Sequence, residues 1–371
     1  MRKTTIAGTT ITGAMALILM AGTSQALAAP AVVASIKPVH ALVSAVMAGV
    51  GEPTLLVSGS ASPHTYALRP SDAGNLQNAE IVFWTGHGME TFLEDALDTL
   101  APGATTIALS QIDGLTLLPT REGGAFEPHA HDDEHDHAHD DAHDHDDHDH
   151  DHDHDHDHDH DHDHDHDDHY HAAHDHDDHD HDDHSRDDHA HHDHAHGGPD
   201  MHFWLDPDNA ALMVDAIARS LAEADPENAE AYEANAEAER GRLADLAAEL
   251  EAELAPVADR PFIVFHDAYQ YFEQRFGLSV AGSVTVSPEI MPGAQRINQL
   301  RARVADAGAV CIFAEPQFEP AIIAAIAEGS ALRTGILDPE GADLEPGADL
   351  YAALLRGLSA DLVDCLSATA P

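Results

Sequence analysis

The stretch FIVFHDAYQYFEQRF (262–276) decides the fold class. Residues 262–265 form an unbroken apolar run, which reads as a strand buried on both faces. Residues 268–276 then read as helix. Between them stand His266 and Asp267, polar residues at the carboxyl edge of the strand. Working outward, residues 278–286 read as extended, 293–307 as helix, 310–314 as strand and 320–328 as helix. Residues 334–337 read as strand and 349–365 as the closing helix. The amino-terminal half repeats this rhythm: strand 32–36, helix 39–50, a short β segment 55–57, helix 69–78, strand 81–84, amphipathic helix 90–100 and strand 105–109. Strands alternating with helices imply an α/β fold whose mostly parallel sheets are covered on both faces. In such sheets ligands sit beyond the carboxyl ends of the strands, so polar residues just after strands are the ones to inspect.

Two helices separate the halves. Residues 208–224 form one, and a second runs from Pro226 to Leu254 with Leu243, Leu246, Leu250 and Leu254 at helical spacing. At 1.5 Å per residue the second is roughly 40 Å long. It reads as a rigid connector, with an ordinary surface helix as the plainer alternative.

The formal charge is −53, and it is uneven. Residues 129–196 hold 29 of the 34 His with 28 Asp, one Glu and one Arg, and residues 148–167 alternate His and Asp without a break. This tract offers no apolar pattern for a core, so a disordered loop over about residues 123–198 is the physical expectation. The remainder is acidic as well, which argues against nucleic acid and against docking on anionic lipid.

The chain begins MRKTTIAGTTITGAMALILMAGTSQALAAP (1–30), with a basic start at Arg2 and Lys3, an apolar core over 11–20 and Ala26-Leu27-Ala28, which fits a small-residue cleavage site. This reads as a secretory signal peptide over 1–28. The apolar run falls short of the roughly 20 residues a span needs. Soluble export to a bacterial periplasm follows. The rest suffices for two domains, each with a core: residues 29–224, the linking helix 226–254, and residues 258–371. In an oxidising compartment Cys311 and Cys365 are expected to be bridged, with two buried free thiols as the alternative.

Five His lie outside the tract: His40, His64, His87, His202 and His266. His64 stands in SPHTYALRPSD (62–72), a turn feeding a helix. His202 stands in DMHFWLDPD (200–208), and His266 closes the strand in IVFHDAYQYFE (263–273). Imidazole nitrogen suits zinc and other first-row metals. Asp338, in GILDPE (335–340), follows a strand and is a candidate fourth ligand; a turn Asp before Pro339 is the other reading.

The segments VVASIKPV, SPHTYALRPSD, MHFWLDP, FHDAYQYF, VCIFAEPQF and LDP, in this order, resemble the zinc-binding periplasmic proteins of bacterial ABC importers. The resemblance covers about residues 31–366 and is interrupted by the His/Asp tract, itself a frequent feature there. It implies two α/β lobes joined by one long helix, with Zn2+ held between them by His64, His202, His266 and Asp338 or solvent. The residue before His64 is Pro63, which closes the option of a preceding Glu that some members use. Manganese members place Glu where His266 stands, and three imidazoles with one carboxylate fit tetrahedral zinc better. The Cys311–Cys365 pair also looks like the disulfide of zinc members. Glu315 and Asp267 are candidates to accept imidazole N–H groups, Trp84, Trp204 and Tyr269 to line the cleft, and His87 to add a contact near its mouth. His40 reads as structural or solvent-facing.

The implied role is non-enzymatic: a monomer that captures zinc and delivers it to an inner-membrane ABC permease. A periplasmic zinc buffer or metallochaperone is the alternative, or the same transport role for manganese or another divalent metal. No HExxH appears, which argues against a metallohydrolase. The tract, with His129, His131, His148, His150, His152, His194 and His196 among its imidazoles, is an auxiliary site of capture or buffering.

Overall fold

The computed structural model describes residues 29–121, 126, 198–285, 293–318 and 321–367. The expected signal peptide and the tract, with its auxiliary histidines, lie outside the described residues. Strands β1 (Val32–Ala34), β2 (Thr54–Leu55), β3 (Ile81–Trp84) and β4 (Thr105–Ala108) build one sheet. Strands β5 (Phe262–His266), β6 (Val280–Thr285), β7 (Cys311–Ala314) and β8 (Arg333–Ile336) build a second. All pairings between these strands are parallel. The orders are β2-β1-β3-β4 and β6-β5-β7-β8, so the two halves share one topology. In each, the chain winds outward one way from the first strand and then crosses to the other side. The switch points are therefore β1/β3 and β5/β7. The strands there, VVA, IVFW and FIVFH, are buried throughout, as parallel central strands should be.

The helices are α1 (Lys37–Val46), α2 (Pro70–Gln77), α3 (Thr91–Leu100), α4 (Pro207–Ala224), α5 (Ala229–Leu254), α6 (Gln270–Phe276), α7 (Ala294–Ala307), α8 (Ala321–Ala327) and α9 (Leu350–Ser367). Pro207 opens α4 while the Asp206 carboxylate accepts the Asp208 N–H, a standard way to satisfy an orphan donor at a helix start. Gly277 stops α6 with φ at +67°.

The long helix α5 joins the halves by packing as well as by chain. Asn235 donates to the carbonyls of Val46 and Ala48 at the end of α1, and Arg356 of α9 pairs with Glu249. Separate cores were expected for the two halves. Instead one cluster runs through both, joining Ile36, Leu42, Val214 and Leu250 to Phe313, Tyr351 and Leu355. Only the outer face of each sheet keeps its own small cluster. Close-packed interiors resist graded deformation, so the halves are held firmly where they meet. A disulfide bridges Cys311 at the start of β7 to Cys365 near the end of α9. It closes a loop of 54 residues, worth about 4 kcal/mol on a chain-entropy argument. No helix among the described residues is long and apolar enough to cross a membrane.

Candidate metal centre

His266 is the last residue of β5, at the β5/β7 switch point. Its Nδ1 lies 2.7 Å from the carboxylate of Glu315, the residue after β7. Tyr269 Oη donates to the same carboxylate at 3.3 Å and to the Leu337 carbonyl at 3.1 Å. Glu315 is thus held, and it holds the ring. His202 opens a 3₁₀ turn, Phe203–Leu205, on the way into α4. Its Nδ1 lies 2.8 Å from Asp200 Oδ1, which also accepts the His202 backbone N–H at 3.0 Å. His64 sits in the turn before α2 and is half-buried. That turn is fixed two residues on, where Tyr66 Oη donates to Asp72, whose carboxylate also takes the Arg69 N–H.

These local anchors bring three imidazoles from distant parts of the chain together. His202 Nε2 is 3.3 Å from His64 Nε2 and 3.3 Å from His266 Nε2. Among the described residues these three His form the group able to hold an ion, their ligand atoms all within 4.8 Å of one another. With Nδ1 donating to a carboxylate, Nε2 of a neutral ring is an acceptor. His202 and His266 therefore aim lone pairs at one point. Two nitrogens each about 2.0–2.1 Å from a tetrahedral zinc stand about 3.3 Å apart, which matches the observed spacing. The pattern of carboxylate, histidine and metal is the usual way a ligand ring is oriented.

The electrostatics separate the three rings. Burial lowers His202 well below the ordinary imidazole value, and the neighbouring His266 adds to it. Burial also lowers His64, helped by His202 and His266. Burial pulls His266 down too, but the carboxylates of Glu315, Asp267 and Asp200 outweigh it and the net shift is upward. Asp200 is pushed up to about 7 by burial. Of the three rings only His266 is shifted toward keeping a proton, and the carboxylate of Glu315 is the chief cause of that rise.

Asp338 departs from expectation, for the structure does not bring it into the group. Its Oδ1 accepts the Gln317 amide at 2.9 Å and the backbone N–H groups of Glu340 and Gly341 at 3.0 Å each, while Oδ2 takes the Ala342 N–H. The carboxylate caps the loop that follows β8. Lys37 of α1 holds that loop from the other half, its Nζ donating to the carbonyls of Gly341, Ala342 and Leu344 at 2.7, 2.6 and 3.1 Å. His87 also stands outside the group: its exposed ring meets Glu94 and packs edge-on to Trp84. His40 is buried, with Nε2 3.1 Å from the Pro53 carbonyl, a structural contact. Trp204 packs beside His202, ring centroids 5.2 Å apart, and its indole N–H donates to the Pro339 carbonyl.

Two groups escaped the reading of the sequence. Asp200 is one, although an Asp two residues before a His has a signal: it reaches both the following N–H and the ring. Arg121 is the other. Its guanidinium binds Asp267 and Glu273, so Asp267 serves an ion pair rather than an imidazole. Arg121 holds its proton more tightly for this, yet burial still pushes Glu273 up to about 7 despite that partner.

Residues 32–365 match the family described as "ZnuA: Zinc-uptake complex component A periplasmic". The high-affinity zinc uptake system protein ZnuA of Brucella suis biovar 1 is 51% identical over 346 residues, covering 93% of this chain and 94% of that protein. The proteins of the same name from Paracoccus denitrificans and Yersinia pestis are 43% and 38% identical, over 91% and 92% of this chain. Among solved structures, a crystal structure of ZnuA aligns over 91% of this chain and 99% of its own, with TM-score 0.64 and 23% identity. A zinc-bound ZnuA deletion mutant aligns with TM-score 0.62, again at 23% identity, over 92% of this chain and 99% of its own. Those two likenesses bear on the fold.

Proposed function

This chain belongs to the ZnuA family of periplasmic zinc-uptake components, solute-binding proteins rather than enzymes, and from that premise we propose that His64, His202 and His266 hold one Zn2+ as cargo for an inner-membrane ABC permease. The observation that carries this reading is the 3.3 Å spacing of ring nitrogens whose far sides are fixed by Asp200 and Glu315. Three neutral donors with a carboxylate behind two of them suit a borderline ion better than a hard, oxygen-preferring one. In this reading a solvent molecule completes the tetrahedron, since the group able to hold an ion is the three His alone among the described residues and Asp338 caps its own loop. Such an open fourth position gives a docking permease a place to begin ligand exchange.

In this reading residues 1–28 are removed on export and the tract of 129–196 gathers zinc ahead of the centre. Free imidazole has a pKa near 6.5, so a tract of such rings is expected to carry zinc at about pH 7 and release it on mild acidification. Transport is tested by restoring growth on scarce zinc in cells that keep or lack their zinc permease. Rescue that needs both this chain and the permease supports delivery; rescue without the permease points to a buffer or metallochaperone instead. The site is tested by removing zinc from the loaded chain with excess chelator. A slow phase that His202→Ala and His266→Ala each abolish supports the ligand set, and one that survives both changes contradicts it.

A further inference from the structure

We propose that Arg121 is a positioning residue for the metal centre: by clamping Asp267 and Glu273 it holds the His202 and His266 segments at ligating distance and so slows release of the ion. The proposal rests on the reading of His64, His202 and His266 as one zinc site.

The two ligand segments come from different halves. His202 rides on residues 198–200, which pair with residues 118–120. Thr120 N–H donates to the Gly198 carbonyl at 3.1 Å, Asp200 N–H donates to the Leu118 carbonyl at 2.8 Å, and Pro119 faces Pro199 across an antiparallel bridge. Asp200 then binds the His202 ring. Whatever fixes residues 118–121 therefore fixes His202.

The fixing comes from the His266 side. Gln270 donates to the Pro119 carbonyl at 3.0 Å. Tyr271 Oη accepts the Leu118 N–H at 2.9 Å and donates to the Asp200 carbonyl. The charged link is Arg121. Its Nε donates to Asp267 Oδ2 at 2.9 Å and its Nη1 to Glu273 Oε2 at 2.6 Å, while Nη2 reaches both carboxylates. Asp267 is the residue directly after His266. The Phe126 ring covers the guanidinium, 4.0 Å from its central carbon.

A planar fork with five donors can present paired N–H groups to two carboxylates in fixed directions, a geometry that the single nitrogen of an ammonium does not reproduce. Removing the cation would leave Asp200, Asp267 and Glu273 as neighbouring buried acids with no positive partner between them. The join between residues 118–121 and the His266 side would then rest on Gln270 and Tyr271. Truncating one partner of a buried, hydrogen-bonded charge pair acts mainly on dissociation.

The test uses the full-length chain, loaded with zinc and mixed with excess chromophoric chelator. Ions on the tract leave in a fast phase and the ion of the centre in a slow one. In the parent, His266→Ala should remove the slow phase. Arg121→Met should speed the slow phase roughly tenfold to a hundredfold and leave the fast phase alone. Arg121→Lys should recover only part of the loss. Glu273→Gln, which leaves Asp267 bound, should give a smaller acceleration of the same phase. Asp267→Asn added to Arg121→Met should add little, because both changes remove one interaction. A His266-dependent slow phase that Arg121→Met and Glu273→Gln leave unchanged overturns the proposal while the metal site stands. So does a loss of thermal stability in these variants with no change in that phase. A slow phase that survives His266→Ala overturns the site itself and this proposal with it.

Discussion

The two sheets have the same strand order, yet their switch points are furnished in opposite ways. Between the ends of β1 and β3 lies Glu90, fully buried. Its carboxylate takes the hydroxyls of Ser35 and Thr85 and the backbone N–H groups of Thr85 and Gly86. Every donor comes from the loops around it, and burial raises its pKa even so. Between the ends of β5 and β7 lies Glu315, also buried. Its partners are a tyrosine hydroxyl, the His266 backbone N–H and the His266 ring, whose other nitrogen looks outward. The first crevice closes on itself. The second passes its carboxylate's hold through an imidazole to a point shared with His64 and His202. One topology can thus supply a structural staple in one half and an oriented imidazole in the other.

The largest break in that comparison is His266→Ala, expected to weaken the centre on the order of a thousandfold, since each of a few ligands supplies several kcal/mol of binding. Competition against a calibrated chelator measures it. Next comes Glu315→Gln, which leaves the ring free to turn and should cost roughly tenfold to a hundredfold in affinity. A loss of less than twofold would make Glu315 a packing residue like its counterpart.

Acidity gives a third test, with a sign set by the rings. His266 binds a proton above the ordinary imidazole range when the metal is absent, whereas His64 and His202 do so well below it. At the proposed site zinc has to displace the His266 proton. The affinity should therefore fall about tenfold per pH unit as pH drops below that raised value, a slope of about one proton. The other two rings add to the slope only in more acid solution. A slope near three around pH 6 would show that the rings titrate alike.

Asp338→Ala ranks lower, with an expected change in affinity of at most a few fold and a stability loss of about 1–3 kcal/mol, as the loop after β8 loses its cap. A loss in affinity of tenfold or more would return Asp338 to the ion. Glu90→Gln should change zinc affinity least, by less than about twofold. It should cost about 1–3 kcal/mol in denaturant unfolding, because an amide cannot serve all four donors. A marked fall in affinity there would show that the two crevices are coupled.

Much of this was legible in residue order. The run 81–84 is β3 itself, and the ends of α4 at Ala224 and of α5 at Leu254 fall where the apolar spacing stops. The start of α6 was read two residues early, since Asp267, Ala268 and Tyr269 form the bend that carries Asp267 to Arg121. The three imidazoles that converge stood out because each occupied a loop or strand edge. What periodicity cannot reveal is pairing across the chain. Glu90 looks like any acid at a helix start, and Arg121 looks like one charge on the border of an acidic tract. Asp338 has the same neighbours in sequence whether it binds a metal or caps its own loop. That its carboxylate takes the N–H groups of Glu340, Gly341 and Ala342 is visible only in the fold.

The central claim is that His64, His202 and His266 converge on one ion. Diffraction data collected at the zinc absorption edge, from crystals of the intact chain grown with one equivalent of zinc, test it directly. The expected result is a single dominant anomalous peak about 2.0–2.1 Å from the Nε2 atoms of all three rings. A dominant peak elsewhere, or no peak between these rings, contradicts the account.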